Sequence, residues 1–552
     1  MIFAIDYIKK SKGPNLGLSV AIEELTKAWL RTSQQNPLVC RAADQASGAE
    51  FLDLAQNQNI DVEQRCVVLN AQDPAQSLAR LDTLFIPDPA MANAAWQRNT
   101  TCRPALCGLV HTLSGERVAQ ALLDLSLAPT NKSDALICPS RSIRDAVQKM
   151  WETQASYLNK RLGGDFACPI QTPVLPLGID TEKFAALSAP DKRQKQRAAL
   201  NVQEDEILIL FVGRLNFLTK AHPLPLLMAV QKAAKCTNKK IRLVFYGYFF
   251  PQEEMERRFK NIVADYANNF TCEIITNDDP RFPSGLWAGA DIFTSLVDNV
   301  QESFGLAPIE AMACGLPCVI SDWDGYREGV RNGQDGFLIP TLTPPAETGQ
   351  ESALRYLHNH HYGLYLAGAS QSTSIDSDAA AKAFALLAND NNRRSEMGQT
   401  ARKRARDVFD WKIVMPSYEA LWQKLAEARK TEITTPLPEA WPAASLTHIN
   451  PFVLFEGFSS HTLSPDDLLQ VISNQKEIST IFSHDMNLFA PDLLLPKELL
   501  LNLINVIETK GTIRIKELIN ATPPLQQDCL WRTLGWLLKT GICVKSNYEE
   551  KT

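Results

Sequence analysis

The sequence predicts an α/β protein of two doubly wound lobes facing a cleft, followed by a smaller, mainly helical module. Three observations predict it. Short apolar runs alternate with helical spacing over residues 1–185, and the same alternation starts again at Glu206. A Pro- and Thr-rich stretch, Glu432–Ala444, then separates a Leu- and Ile-rich tail of different character. Alternation of this kind builds parallel sheets covered by helices.

In chain order, Met1–Ile8 reads as a first buried strand, because Lys9 and Lys10 follow the apolar run in the wrong order for a secretory signal. Leu81–Ile86, Ala105–Val110, Ala135–Cys138 and Pro173–Leu177 read as further strands. Val20–Leu30, Val118–Leu127 and Ile143–Leu162 carry helical spacing. A polar, basic stretch, Pro190–Arg197, separates the halves. The second half has strand patterns at Glu206–Val212, Ile241–Tyr246, Cys272–Thr276, Ile292–Ser295 and Pro317–Ser321. Residues 342–377 read as an irregular insertion with some helical character, and Ala380–Val408 and Val414–Lys430 as helices. The expected domains are therefore 1–190, 200–405, a closing helix at 406–430 that returns to the first lobe, a linker at 431–446, and a module at 447–552.

Bulk properties exclude several classes. At 552 residues the chain exceeds what one core supports. Its formal net charge of -6 is wrong for a nucleic-acid binder, and no apolar run reaches the roughly 20 residues that span a bilayer. The 12 cysteines form no Cys-x-x-Cys pair; Cys314 and Cys318, the nearest two, read as buried small hydrophobes. A reduced, cytoplasmic protein is expected, with membrane contact at most peripheral. The cationic helix Arg141–Leu162, with Trp151, could touch anionic lipid, but packing on its own lobe is the simpler expectation.

The strongest chemical signal is Gln301-Glu-Ser-Phe-Gly-Leu-Ala-Pro-Ile-Glu-Ala-Met-Ala-Cys-Gly-Leu-Pro-Cys-Val-Ile-Ser-Asp322, a loop, a short helix and a strand. Pro308 suits a first helical turn and Gly315 the position past the helix end. Glu302 lies before the helix and Glu310 inside it, with seven residues between them. Two carboxylates so placed can hold opposite ends of one ligand, while the helix N-terminus and the Gly305 amide face a diphosphate. An isolated pair of this kind reads as solvated helix-end residues; the surrounding pattern turns the reading toward a ligand site.

The segment resembles the signature of the retaining GT-B glycosyltransferases of family 4, which have two Rossmann-like lobes. The resemblance covers about residues 1–430. It implies that Glu302 contacts a donor sugar and Glu310 a nucleotide ribose, with Phe304, Gly305 and Leu306 at the donor. Phe211-Val-Gly-Arg-Leu215 with Lys220 resembles the family's diphosphate grip, in which Gly213 belongs to the loop and Arg214 and Lys220 neutralise phosphate charge. Ala221 and His222 stand where that family usually has Gly. Lys12-Gly-Pro-Asn-Leu-Gly17 resembles its glycine loop, through Gly13 and Gly17, and His111 a histidine that touches the donor sugar. Base recognition is expected from backbone around Tyr246–Gly247 and Thr276–Asn277, and Val174–Asp180 matches the first-lobe exit.

The resemblance implies transfer of a sugar from a nucleoside diphosphate sugar to a glycan, lipid-linked or protein acceptor, in glycan or glycoconjugate synthesis. The configuration is kept, and no cofactor or metal is needed. Asp322 and Asp324 look like an Asp-x-Asp metal pair but follow a second-lobe strand, where they read as structural. A sugar-nucleotide epimerase and a non-catalytic nucleotide-sugar-binding protein share the fold and are the rival readings.

The tail falls outside the resemblance. Leu499–Thr509, Ile513–Ile519 and Leu525–Lys539 read as three helices and Ile542–Lys545 as a strand, a winged-helix-like pattern. The third helix offers only Arg532 and Lys539 beside Asp528, Trp531 and Trp536, too little charge for DNA. A docking or homo-oligomerisation module is expected instead.

Overall fold

The structure is a computed structural model that describes residues 1–8, 17–98, 104–250, 252–300, 302–359, 361–432 and 443–546. Residues Met1–Ser445 form one compact unit and Leu446–Thr552 a second.

The first unit holds two six-stranded sheets. The strands of the first are β1 (Phe3–Tyr7), β2 (Leu38–Ala42), β3 (Cys66–Asn70), β4 (Thr83–Ile86), β5 (Ala105–Leu109) and β6 (Ala135–Ile137), in the order β3-β2-β1-β4-β5-β6. The second comprises β7 (Ile207–Arg214), β8 (Ile241–Tyr248), β9 (Thr271–Thr276), β10 (Ile292–Ser295), β11 (Cys318–Ser321) and β12 (Gly336–Ile339), in the order β12-β11-β10-β7-β8-β9. Every pairing is parallel. Both sheets reverse direction at the centre, between β1 and β4 and between β7 and β10. In such sheets ligands settle in the crevice outside the strand C-termini at that reversal.

The central strands read as apolar runs because helices cover both faces: Leu84, Leu106 and Leu136 are wholly buried in one sheet, Leu208–Leu210 in the other. Three assignments need correction. Pro173–Leu177 makes only isolated bridges, such as Cys138 with Val174, since Pro173 and Pro176 lack the amide a ladder needs. Pro190–Arg197, the polar stretch between the halves, is a helix, Pro190–Ala199. Ala380–Val408 is two helices, Ser377–Asn389 and Asn391–Phe409; the Asp390 carboxylate caps the second by accepting from the Arg393 amide.

The insertion at 342–377 is ordered. Thr341–Leu342 pairs antiparallel with Ser374–Ile375, closing a loop that carries helices Gln350–Asn359 and Tyr362–Gln371. The last helix of the unit, Trp411–Thr431, returns to the first lobe. There Trp422 packs among Phe3, Trp29 and Phe85, at ring distances of 6.1, 6.5 and 5.1 Å. Thr83 donates to the Trp422 carbonyl at 2.8 Å, which fixes the helix against β4. The helix Arg141–Leu162 buries Ile143, Val147 and Trp151 on its own lobe, and Trp151 Nε1 donates to the Leu122 carbonyl.

The second unit has its own core, including Ile504, Ile507, Leu530 and Leu534. Leu468–Val471, absent from the sequence reading, is the middle strand of an antiparallel sheet, between Ile513–Arg514 and Cys543–Ser546. Its longer helices are Gln475–Ser483, Lys497–Lys510, Ile515–Ala521 and Gln527–Lys539. The expected helix Ile513–Ile519 thus begins as a strand, and from Lys497 onward the order is helix, strand, helix, helix, strand. Among the described residues no helix is long and apolar enough to cross a membrane, no cysteine is in a disulfide, and no cluster of three potential ligands could hold a metal.

Candidate functional site

The second lobe presents its chemistry where β7 and β10 end. β7 stays buried through Phe211, and two residues on, the missing side chain of Gly213 admits the Lys220 stem: a Cβ there would lie 2.9 Å from Lys220 Cε. Gly247, its partner in β8, is needed more strictly, since a Cβ would lie 1.8 Å from the Gly213 carbonyl oxygen. Arg214 ends the strand, and among the described residues no carboxylate lies within ion-pair distance of it. Asn216 then builds the loop. Its Oδ1 accepts from the Leu218 and Thr219 amides at 2.8 and 3.0 Å, and its Nδ2 donates to the Phe250 carbonyl at 2.6 Å. The Lys220 amide donates to the Asn216 carbonyl at 3.0 Å. This Asx turn sets the bend of the loop ahead of Lys220. His222, one of the two departures, caps the next helix by accepting from the Leu224 amide at 3.2 Å.

Lys220 Nζ meets Glu302 Oε1 at 2.5 Å, both side chains being about 10% exposed. The Tyr326 hydroxyl bonds Glu302 and also Ser295 Oγ, the latter at 2.8 Å, so Glu302 is held from two sides. The loop folds tightly around it. Gly325 donates its amide to the Glu302 carbonyl at 2.9 Å. Gly305 takes φ of 84° and lies against the Tyr326 ring, where a Cβ would come within 2.2 Å of ring carbon. Only glycine tolerates both demands. Leu306 opens the helix Leu306–Ala313, while the Phe304 side chain is buried edge-on against Phe409, leaving backbone as its exposed chemistry. Asn277 donates its amide to the Gly247 carbonyl at 2.8 Å, beside the site.

Glu310 reaches into the space between the lobes. Burial pushes its carboxyl up to about 7, while Lys183 and Lys220 pull it down and Glu24 of the first lobe pushes it further up. From the first lobe, His111 follows β5, and its carbonyl accepts from Ser303 Oγ of the second lobe. Burial lowers the imidazole to about 4, against opposing pulls from Asp88 and the Pro87 carbonyl, so it is neutral at neutral pH. With one nitrogen donating to Pro87, the buried Nε2 has no partner among the described residues and is left as an acceptor. Gly17 begins the helix Gly17–Thr32, and Gly13 lies outside the described residues.

Further bonds join the lobes. Ser142 Oγ donates to the Asp324 carbonyl at 3.3 Å, Glu328 accepts from the Arg141 amide at 3.0 Å, and the Tyr362 hydroxyl donates to the Leu113 carbonyl at 3.4 Å. Asp322 pairs with Arg327 at 2.8 Å. Asp324 has φ of 44°, and burial, aided by the Glu302 charge, pushes its carboxyl up to about 8. Sequence reasoning missed Asn216, Ser295 and Tyr326. An Asn two residues beyond a strand-end Arg is a turn signal that could have found the first; the other two meet Glu302 only through the fold.

The sequence profile described as glycosyl transferases group 1 matches residues 192–349, the stretch holding Arg214, Lys220, Glu302 and Glu310. Among curated proteins, the D-inositol 3-phosphate glycosyltransferase of Geodermatophilus obscurus is 30% identical over 194 residues, which is 35% of this chain and 41% of that protein. The protein of that name from Kribbella flavida is 27% identical over 270 residues, 48% of this chain and 54% of that protein. The chain thus spans roughly half or less of the length of these relatives. Among solved structures, Anabaena HepE in complex with UDP aligns with a TM-score of 0.51 and 16% identity, over 78% of this chain and 100% of that one. A glycosyltransferase from Rickettsia africae aligns with a TM-score of 0.51 and 14% identity, over 77% and 98%. The first unit therefore has the GT-B fold, and its second lobe carries the group 1 glycosyl transferase sequence pattern.

Proposed function

We propose that the protein is a retaining glycosyltransferase that moves a sugar from a nucleoside diphosphate sugar to an acceptor hydroxyl, without a metal ion. The observation that carries this reading is the buried Lys220–Glu302 pair at the sheet reversal, beside the N-terminus of Leu306–Ala313. A diphosphate there meets Arg214, Lys220 and the helix amides. These stabilise the negative charge that develops as the anomeric carbon–oxygen bond breaks. Lys220 holds Glu302 toward the sugar hydroxyls, and neutral His111 offers Nε2 as an acceptor to another. Glu310 takes the ribose, and backbone at Gly247 and Asn277 takes the base. The acceptor oxygen bonds the anomeric carbon on the face the phosphate leaves, and its proton passes to the departing phosphate oxygen. The acceptor belongs to glycan or glycoconjugate synthesis, on the cytoplasmic side of a membrane.

Arg214→Ala is the cleanest test, because no described carboxylate is stranded by its removal. Transfer or hydrolysis of the preferred donor, identified from a panel of nucleotide sugars, should fall by about two to three orders of magnitude with the melting temperature unchanged. Lys220→Ala should lose turnover similarly but also stability, since Glu302 is left buried and unpaired. Near-normal turnover in the double variant would remove the proposed donor site.

A further inference from the structure

Glu302 belongs to the second lobe and His111 to the first, so the proposed sugar site is complete only where the lobes meet. A hydrogen bond crosses the cleft at that point. Ser303, next to Glu302 in the chain, donates from Oγ to the His111 carbonyl. Ser303 is buried, and a hydrogen bond away from water holds its partners more firmly than an exposed one.

Each end of that bond is held by its own lobe. On the second-lobe side, the Ser303 peptide lies against Gly325, where a Cβ would come within 2.4 Å of the Ser303 carbonyl carbon. Gly325 also donates its amide to the Glu302 carbonyl at 2.9 Å. On the first-lobe side, the Val110 amide donates to the Ile137 carbonyl at 3.0 Å, and the His111 ring is turned by its bond to the Pro87 carbonyl. Its Nε2 has no partner among the described residues. Two more bonds across the cleft land on the same mount. The Asp324 carbonyl and the Glu328 carboxylate stand on either side of Gly325 and Tyr326. They accept from Ser142 Oγ at 3.3 Å and from the Arg141 amide at 3.0 Å. Contact between the lobes thus reaches the loops that hold Glu302.

We propose that Ser303 is a positioning residue for the transfer reaction. Its hydroxyl holds the His111 carbonyl so that the imidazole of one lobe and the Glu302 carboxylate of the other address the same donor sugar. The inference rests on the transferase reading, and it gives Ser303 no contact with the sugar or the diphosphate. Contacts made in a transition state tolerate little displacement: an error of about 1 Å can cost on the order of 100-fold in rate. The diphosphate contacts, Arg214 and Lys220, lie wholly in the second lobe and do not depend on this clasp. Losing the Ser303 hydroxyl should therefore slow turnover and leave nucleotide affinity unchanged. The whole of that loss should pass through His111.

The test is a double-mutant cycle on the full chain, with hydrolysis of the preferred nucleotide sugar as the rate and UDP calorimetry as the affinity. Ser303→Ala should lower kcat about tenfold, with donor KM and UDP affinity within about twofold of wild type. In a His111→Ala background, which keeps the main-chain carbonyl but not the imidazole, the same change should have no further effect. Equal losses in both backgrounds would make Ser303 a structural residue and overturn the proposal, as would wild-type kcat in Ser303→Ala. Hydrogen exchange of the ligand-free chain at residues 108–114 reads the clasp without any donor, and it should quicken in Ser303→Ala. Unchanged exchange there would mean that the hydroxyl does not hold His111, and would overturn the proposal by itself. Wild-type protein that turns over no nucleotide sugar would end the transferase reading, and this inference with it.

Discussion

Glu310 and Asp324 are carboxyls that the fold makes reluctant to ionise, and each gives a measurement at the scale of one side chain. If Glu310 accepts from ribose hydroxyls, it does so as a carboxylate, and burial pushes it up to about 7. Nucleotide binding should then release a proton, so affinity rises as pH climbs through 7. Calorimetric titration of UDP from about pH 6 to 8 should show this slope in the wild type and lose it in Glu310→Gln. An identical slope in both would deny Glu310 the ribose. Asp324 works through stability. Its folded value of about 8 lies above its unfolded value near 4, so the folded state binds the extra proton and stability falls as pH rises between them. Asn tolerates the left-handed backbone at this position and stays neutral. Asp324→Asn should therefore raise stability by several kcal/mol, about 5 at most, above pH 8 and have no effect near pH 4. A gain that is the same at both ends would show that charge is not the cause. These residues also mark what one-dimensional reading can reach. The spacing of Glu302 and Glu310 and the order of Arg214 and Lys220 are visible in the chain. The salt bridge between Lys220 and Glu302 is not, because it depends on how β7 and β10 lie side by side.

Elements were legible where apolar residues do the burying. β7, β8, β10 and β11 are runs of Ile, Leu, Val and Phe, and their bounds agree with the sequence reading to within two residues. Where polar groups do the burying, the pattern disappears. The helix Pro190–Ala199 turns Arg197 inward to Asp291, so no apolar stripe marks it. β2 is wholly buried yet contains Arg41, paired with Asp6, which interrupts its run. β3 lies at the sheet edge with Val67 and Val68 exposed, and edge strands carry weak signals. The same scale supplies a test of the site's foundation. Gly247 allows β8 to approach β7 where Arg214 leaves the sheet. Gly247→Ala should cost about 2–3 kcal/mol, since a buried methyl would overlap the Gly213 carbonyl and force the strands apart. Donor turnover should fall with it, because Gly213 also makes room for Lys220. A variant with unchanged melting temperature would mean that the strand pair yields freely, and that the donor loop is not fixed by it.

Across the whole molecule, the second unit is the part to which neither the lobes nor the proposed chemistry assigns a task. Its last helix, Gln527–Lys539, turns its polar groups inward: Trp536 donates to the Asn487 carbonyl at 2.7 Å and Arg532 to the Leu493 carbonyl at 2.7 Å. No Lys or Arg occurs from Glu432 to Gln475. That stretch lacks the phosphate contacts that dominate nucleic-acid affinity, and the attraction that anionic lipid requires. What it exposes is apolar. Phe452 is 70% and Phe458 86% exposed, with Val453, Leu454 and Phe455 between them, and Met486 and Phe489 are also exposed. Such a patch is what the docking or homo-oligomerisation module expected from the sequence would present, and aromatic anchors carry most of the affinity where a protein contact forms. The unit has its own core, and its removal takes away none of the residues assigned to the proposed donor site. Truncation at Ser445 should therefore leave donor hydrolysis within about twofold of the full chain, while sedimentation velocity shows a smaller assembly. Phe452→Ser with Phe458→Ser in the intact chain should reproduce the change in assembly without unfolding the unit, since both side chains are already in solvent. Full-chain assembly that survives both the truncation and the double substitution would show that this surface is not where copies or partners meet.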